Sequence, residues 1–510
     1  MSDQKRDLKD TVFLPKTDFP MKAGLPQKEP GIQARWAEID LYAKLREARA
    51  GREKFILHDG PPYANGEMHI GHALNHILKD MVVRSQSLMG KDAPYVPGWD
   101  CHGLPIEWKV EEQYRKKKLN KDDVPRSEFR AECRAYAQAW VDVQRGQLKR
   151  LGLLGDWDNP YLTMDFEAEG TIVAELMKFA EAGNLYRGAK PVMWSPVEKT
   201  ALAEAEVEYE DITSTQIDVA FEIVESPIPE LVGAHAVIWT TTPWTIPVNQ
   251  ALAYGPEVEY VLVEYERPAH NRQDDEPGIE DRTYYSRTKT YRILLARELI
   301  SAFFERAEKS YDVLAPRGAY KLLWQGKGSD LAGTLVAHPM ARRLDAWVKN
   351  TSAGSDCENW PGAASRWSES QLANVEFFSR LRPLLPGDFV TTDSGTGLVH
   401  MAPDHGEDDF DLCKSAGIHP VFAVMDDGRY RDDWPWLGAG NLDAEGKERR
   451  RAVINANFNA PDGPICSDLR QAGALLSASA DYHHSYPHSW RSKAKVIYRC
   501  TPQWFVPMDK

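Results

Sequence analysis

The spacing of apolar residues changes character along the chain, and with it the elements it predicts. Over 31–48, GIQARWAEIDLYAKLREA, apolar positions fall three and four apart, the period of an amphipathic helix. Before it runs an irregular arm, FLPKTDFPMKAGLPQKEP, broken by four prolines. KFIL (54–57) is a short apolar run ending in HDGPPYANG, a strand entering a loop rich in glycine and proline. Behind it, in HIGHALNHILKDMVVRSQSLMG, Leu74, Ile77, Leu78, Met81 and Val82 recur at helical spacing and Gly90 supplies the stop. DAPYVPGWDCHGLPIE (92–107) reads as a second strand leading through another glycine-punctuated loop into a helix, IEWKVEEQYRKKK. Strand, glycine loop and helix, twice over, is the grammar of an α/β fold with a doubly wound parallel sheet.

From about Thr200 the texture changes. VEYEDITSTQIDVAFEIV, AHAVIWTTT, EYVLVEYE and TYRILLA alternate or are rich in Val, Ile and Thr, and predict a separate β-dominated module. Two polar stretches inside it, ERPAHNRQDDEPGIEDRTYY and NTSAGSDCENWPGAASRWSES, read as surface insertions near 265–285 and 350–372. DYHHSYPHSWRSKAKVIYRCTPQWF (481–505) predicts short strands carrying basic and aromatic residues. Leu231–Pro256 has no Asp, Glu, Lys or Arg, but its threonines, Pro243, Pro247, Asn249 and Gln250 argue against a bilayer helix. The expected division is an arm and helix over 1–50, an α/β domain over 51–195, a β-rich insertion over 196–475 and strands returning to the α/β domain over 476–510.

Length changes this picture little: 510 residues suit about three domains, or two with one inserted in the other. Charge changes it more. With 62 Lys and Arg against 76 Asp and Glu the net charge is −14, so a polyanionic partner must be held by local patches or by a region outside this sequence. The six cysteines, Cys101, Cys133, Cys357, Cys413, Cys466 and Cys500, include no C-x-x-C pair. That argues against a disulfide framework and a thiolate zinc cage, and fits a reducing, cytoplasmic compartment. The charged start MSDQKRDLKD shows no apolar signal-peptide core.

The strongest chemical signal is HDGPPYANGEMHIGH (58–72). Gly60, Gly66 and Gly71 let the backbone approach a ligand closely. His69 and His72 share the first turn of the expected helix, where free N–H groups and the positive dipole end suit a phosphate. Imidazoles there donate to phosphoryl oxygens as charge builds in a displacement, so catalysis rests on positioning and electrostatics rather than on a protein nucleophile. Two other readings stay open from the residues alone. The histidines merely cap the helix, or His69, His72 and His76 hold a metal from one face, although no carboxylate is placed to join them.

HDGPPYANGEMHIGH resembles the adenylate-binding signature of the class I aminoacyl-tRNA synthetases, and GWDCHGLPIE (98–107) is similar to the version in their isoleucine-specific branch. FPM at 19–21, ALAEAEVEYED at 201–211, WTTTPWT at 239–245, HMAPDHGEDDF at 400–410, HSYPHSW and TPQWF extend the resemblance over nearly the whole chain. It implies a Rossmann-like doubly wound parallel sheet, its first half and the start of its second, interrupted by a large β-rich editing domain. It also implies a monomer that uses ATP as substrate with Mg2+, and L-isoleucine and tRNA(Ile) as partners. The amino-acid carboxylate attacks the α-phosphate, pyrophosphate leaves, and the acyl group then passes to the terminal ribose of the tRNA. By the same resemblance His69 and His72 are catalytic, and Pro62, Asn65, Gly66, His69, Gly71 and His72 bind ATP. Gly60, Pro61 and Asp100 hold the amino acid, Asp100 through its ammonium group. Seen alone, Asp100 also reads as a cap on the helix that follows.

An apolar pocket discriminates poorly against an amino acid one methylene smaller, isoleucine against valine being the standing example, so a second, hydrolytic site is the expected remedy. The resemblance puts that editing site at Thr240, Thr241 and Thr242, whose hydroxyls meet a ribose or a water, with His400 and Asp409. His400 contacts the adenosine or positions water, and Asp409 holds the mischarged amino group. From the residues alone, WTTTPWT reads as a buried strand, His400 as a core histidine and HGEDDF as a solvated acidic turn. No KMSKS motif or near variant occurs. The expectation is an N-terminal fragment with an impaired activation step, whose zinc-binding segment lies in the missing C-terminal region. The rival readings are a small-molecule nucleotidyltransferase with the same H-x-G-H loop and a freestanding tRNA deacylase or regulatory paralogue. The β-rich insertion speaks against the first, and the intact HIGH and GWDCHG residues against the second.

Overall fold

The computed structural model describes residues 11–13, 18, 24–268, 288–310, 320–341, 376–431, 434 and 452–508. The FPM motif at 19–21, Cys357 and most of the two polar stretches lie outside the described residues. Contacts divide the chain into two units, Met1–Asn184 and Leu185–Lys510.

The first unit is helical around short parallel pairings. Its elements are α1 (Leu25–Glu38), α2 (Leu41–Ala48), α3 (Ile70–Leu88), β1 (Gly98–Trp99), α4 (Leu104–Lys116), α5 (Arg126–Arg150), β2 (Tyr161–Leu162) and α6 (Phe166–Glu181). The single helix expected over 31–48 is two. Asp40 turns left-handed (φ 48°) and its carboxylate caps α2 by accepting the Ala43 N–H at 3.4 Å, a break that a short polar side chain stabilises locally. β1 pairs with β2 in parallel, and two single bridges, Lys54 with Asp92 and Tyr63 with Asp100, are parallel too. The strand expected at KFIL is therefore an extended segment anchored at its start. Trp99, Ile106, Val141, Leu148, Trp157 and Leu162 form the core. On α3 the buried residues are His76 and Val83, whereas Leu74, Leu78, Met81 and Val82, the apolar positions that predicted the helix, are exposed. Periodicity marks an apolar face without saying what covers it.

The second unit is β-rich. In chain order it contains β3 (Tyr186–Ser195), β4 (Thr200–Ala201), β5 (Val207–Glu225), β6 (His235–Thr240), β7 (Ala251–Tyr254), β8 (Glu259–Pro268), β9 (Thr288–Ala296) and α7 (Ile300–Ser310). There follow β10 (Lys321–Lys327), β11 (Leu335–Ala337), β12 (Leu381–Pro386), β13 (Leu398–Met401), α8 (Glu407–Ser415), α9 (Ala456–Asn459), α10 (Pro464–Gln471), β14 (Leu475–Ser489) and β15 (Ile497–Phe505). Ten strands join in the order β10-β8-β9-β6-β5-β11-β12-β7-β13, with β14 antiparallel along β5. β15, β3 and β4 make a separate three-stranded sheet. The segments 475–489 and 497–505 thus pair along β5 and β3, both inside this unit.

Ile217, Val219, Phe221 and Ile223 of β5 meet Ile238, Leu252, Leu294 and Phe458 in the core. The uncharged stretch 231–256 explains itself here. It becomes β6, a 3-10 turn over Pro243–Val248 and β7, nearly all buried, with each strand paired on both sides, where a charge would be costly. Among the described residues no helix is long and apolar enough to cross a membrane. The five described cysteines are free, and burial pushes the thiols of Cys413, Cys466 and Cys500 up to about 12.

Candidate functional site

His69 stands at the N-cap of α3 in extended backbone (φ −104°, ψ 176°), and its Nδ1 accepts the Gly71 N–H at 3.0 Å. His72 returns the favour: its Nδ1 accepts the His69 N–H at 3.3 Å. The two make a capping box with imidazoles in place of the usual side chains, worth about 1 kcal/mol to the helix. Their rings lie 3.9 Å apart between centroids, tilted by 32°. Because each Nδ1 is an acceptor, each neutral ring carries its proton on Nε2, and among the described residues neither Nε2–H has a partner. Burial, then the neighbouring His69, lowers the His72 pKa, which keeps that ring neutral at pH 7. Glycine at 71 leaves room for the ring above it, since an added Cβ would sit 2.9 Å from His69 Cε1 and push that ring aside. Capping thus occupies the Nδ1 atoms and leaves the Nε2 side of both rings for a ligand. His76 is buried, and among the described residues no group of three or more His, Cys, Asp or Glu is placed to hold a metal ion.

The loop before α3 is pinned from several sides. Asp59 accepts from the Lys79 ammonium and from Tyr95 Oη at 2.8 Å, while Lys79 also reaches the Gly60 carbonyl at 3.3 Å. Burial and the Asp59 carboxylate drive the Tyr95 hydroxyl far above its usual pKa, so it remains a donor. Pro61 abuts β1, where a Cβ on Gly98 would come within 3.4 Å of Pro61 Cβ. The Pro62 carbonyl accepts the Asp100 N–H at 2.9 Å, and Ala64 N–H donates to the Asp100 carbonyl at 2.8 Å. Gly60, Pro61, Pro62 and Asp100 are therefore brought together by backbone pairing.

Asp100 does not cap α4, whose N-cap is Gly103 with no side-chain bond. Its Oδ1 accepts the His102 N–H at 3.2 Å and the Thr163 hydroxyl at 3.4 Å, which leaves Oδ2 without a partner among the described residues. Asn65 differs from the expectation in detail. Its amide already donates to the Pro105 carbonyl (3.0 Å) and accepts from Tyr136 Oη (2.8 Å), so the side chain is committed to α4 and α5. Gly66, in left-handed backbone at φ 81°, gives its carbonyl to Gln144 Nε2 at 2.7 Å. Gln144 also holds the Tyr63 carbonyl and Trp99 Nε1, and Gln147 accepts the Met68 N–H at 2.9 Å. Sequence reading missed both glutamines. The available signal was two amides three apart on a helix whose other inward residues are apolar.

In the second unit a cavity of about 330 Å3 is lined by Thr240, Thr241, Thr242, His400 and Asp409 together. WTTTPWT is only partly a strand: β6 ends at Thr240 and the chain bends. Thr240 Oγ1 lies 3.1 Å from Thr242 Oγ1 and accepts the Thr242 N–H. Thr245, not singled out from sequence although it closes the same motif, donates its hydroxyl to the Thr242 carbonyl at 2.8 Å and meets His400 Nε2 at 2.9 Å. A hydroxyl has one proton, and a carbonyl can only accept, so Thr245 accepts from His400. That fixes the Nε2–H tautomer and leaves Nδ1, buried and without a partner among the described residues, as an acceptor. Burial lowers the His400 pKa to about 4, and burial also lowers that of His405. Asp409 lies on the first turn of α8, its Oδ2 accepting the Ala402 N–H at 2.7 Å, and burial raises its carboxyl to about 7. Gly406 leaves room for that carboxylate, for a Cβ there would be 2.8 Å from Asp409 Oδ1. Glu407 and Asp408 are exposed, so only the third acid of HGEDDF faces inward.

A family model described as tRNA synthetases class I (I, L, M and V) matches residues 31–510. An isoleucine–tRNA ligase of Zymomonas mobilis subsp. mobilis is 57% identical over 518 residues, covering 100% of this chain and 47% of that protein. One of Gluconobacter oxydans is 46% identical over 519 residues, covering 99% and 47%. The chain spans about half the length of the curated relatives it matches. A solved ternary complex of Agrobacterium radiobacter K84 agnB2 LeuRS with tRNA and LeuAMS aligns with a TM-score of 0.32 and 15% identity, over 96% of this chain and 51% of that one. With a capped pair of imidazoles where the family carries its signature, and a family match from residue 31 to residue 510, the chain belongs to the class I tRNA synthetases (I, L, M and V).

Proposed function

We propose that this chain carries the isoleucine-activating and editing machinery of an isoleucine–tRNA ligase. In this reading residues 51–195 hold ATP and L-isoleucine, 196–475 form the editing domain, and 476–510 lead back toward the catalytic domain. The observation that carries it is the pair of open Nε2–H donors at the start of α3, a 19-residue helix, on the loop that also pairs with Asp100. The donors and the helix N-terminus stabilise charge on the α-phosphate as the isoleucine carboxylate attacks and pyrophosphate leaves. The free Oδ2 of Asp100 takes the substrate ammonium. Mg2+ arrives with the triphosphate, and no residue of this chain is assigned to it. Isoleucine-dependent exchange of pyrophosphate into ATP, measured in a protein of the relatives' full length, tests the reading. Exchange that survives loss of both His69 and His72 rings overturns it.

The cavity lined by Thr240, His400 and Asp409 supports hydrolysis of valyl-tRNA(Ile) as the second activity. Water attacks the ester carbonyl, the acyl–oxygen bond breaks, and the ribose hydroxyl takes the proton. Asp409 holds the amino group, the threonine hydroxyls contact the ribose, and the acceptor Nδ1 of His400 orients the water. The protein is proposed to act as a cytoplasmic monomer, which sedimentation and cell fractionation check directly.

A further inference from the structure

A second cavity, of about 230 Å3, shares Thr241 and Thr242 with the hydrolytic one. Its wall is mixed: Trp244, Val453, Ile454 and Ile497 supply apolar surface, and Thr213, Ser214 and Thr215 of β5, Asn457 of α9, Tyr486 of β14 and Lys495 just before β15 supply the polar groups. No carboxylate is among its lining residues. Lys495 is half-buried, its ammonium 5.5 Å from the centroid of the Tyr486 ring, and no acid pairs with it among the described residues. In a chain whose net charge is −14, that is a conspicuous cation to leave unanswered. Burial lowers its pKa, and its charge in turn helps burial to lower that of His484, so the positive charge there is poorly solvated. A desolvated ammonium among hydroxyls and an amide has the makings of an anion site: the donors are in place and the counter-charge is missing.

We propose that this cavity is a phosphate subsite, in which Lys495 holds the phosphate preceding the ester-bearing terminal nucleoside of an RNA strand. The shared wall at Thr241 and Thr242 carries the assignment: a ligand whose ester fills one cavity has its next group at the other. The proposal rests on the hydrolytic reading of the first cavity, and deepens it by naming what holds the strand rather than the ester.

The test compares two model esters on the chain as it stands, 3′-O-valyl-adenosine and the valyl ester of cytidylyl-(3′→5′)-adenosine. The expected result is a KM roughly tenfold lower for the dinucleotide ester, the gain of one charge-assisted contact. Lys495→Ala removes that gain and leaves the adenosine ester unchanged, while Lys495→Arg keeps most of it. Raising salt from about 50 to about 200 mM erodes the gain in wild type and not in Lys495→Ala. A dinucleotide ester with no advantage, or an advantage that survives Lys495→Ala, overturns the proposal. If neither ester is hydrolysed, the hydrolytic reading fails, and calorimetric titration with cytidylyl-adenosine and with inorganic phosphate still decides the subsite. Affinity for the dinucleotide lost in Lys495→Ala upholds it, equal affinity for inorganic phosphate refers the site to free phosphate instead, and no affinity for either sinks it.

Discussion

The two units use histidine in opposite senses. At the start of α3 the rings of His69 and His72 spend their Nδ1 lone pairs on backbone N–H groups and keep two donors open. In the β-rich unit His400 spends its Nε2–H on Thr245, sits buried, and keeps an acceptor. Donors at a helix N-terminus suit an anion that gains charge; an acceptor in a buried, threonine-lined cavity suits a water that must lose a proton. A histidine's chemistry is therefore set by which nitrogen its neighbours occupy. Nothing in the residue itself decides it.

The largest expected effect breaks the first half of that contrast. His72→Asn keeps a side-chain acceptor for the His69 N–H but removes a ring donor, and should lower isoleucine-dependent pyrophosphate exchange by roughly 10²–10³-fold. A loss below tenfold would show the open donors to be idle. Next comes Asp409→Ala, expected to cut valyl-tRNA(Ile) hydrolysis by about 10²-fold while leaving exchange untouched, since it strands the incoming ammonium without a counter-charge. The same carboxylate has a stability signature. Its folded pKa of about 7 lies above the unfolded value, so ionisation opposes folding: stability is lost as pH rises from about 4 through 7. Asp409→Asn should therefore be more stable than wild type by on the order of 2 kcal/mol at pH 8 and equal to it near pH 3.5. A thermal melt at the two pH values reads this without any activity assay.

Thr245→Val tests the tautomer argument with a smaller effect. Losing the acceptor for His400 Nε2–H should slow deacylation roughly tenfold with little change in KM, and shift the His400 ring nitrogens in 15N spectra. Unchanged nitrogen shifts would mean that Thr245 does not set the ring. The smallest change sharpens the cap itself. Gly71→Ala forces the His69 ring away from α3 and should cost about 1 kcal/mol of stability, measured in urea, with a modest loss of exchange.

Much of this was legible in the chain because some signals are local. The α3 start, its loop and the β-rich texture after Thr200 follow from glycines, histidine spacing and alternation, each read within a few residues. Other features were not. The break at Asp40 depends on one residue turning left-handed, which apolar period does not register. The resemblance makes Asn65 an ATP-binding residue, and only the fold shows its amide bonded to Pro105 and Tyr136, 40 and 71 residues away. Gln144 reaches the loop across a similar distance, and nothing in its own neighbourhood announces it.

Taken alone, the order of residues determined which side chains with useful chemistry exist, which segments are helical or extended, and that a family signature runs through them. Which nitrogen of each histidine is open, which of three acids in HGEDDF turns inward, and that Thr245 and His400 touch across 155 positions were decided by packing. The reason is physical: local conformation depends on neighbours along the chain, whereas burial, tautomer and pKa depend on neighbours in space, and those are chosen only when the sheet closes around them.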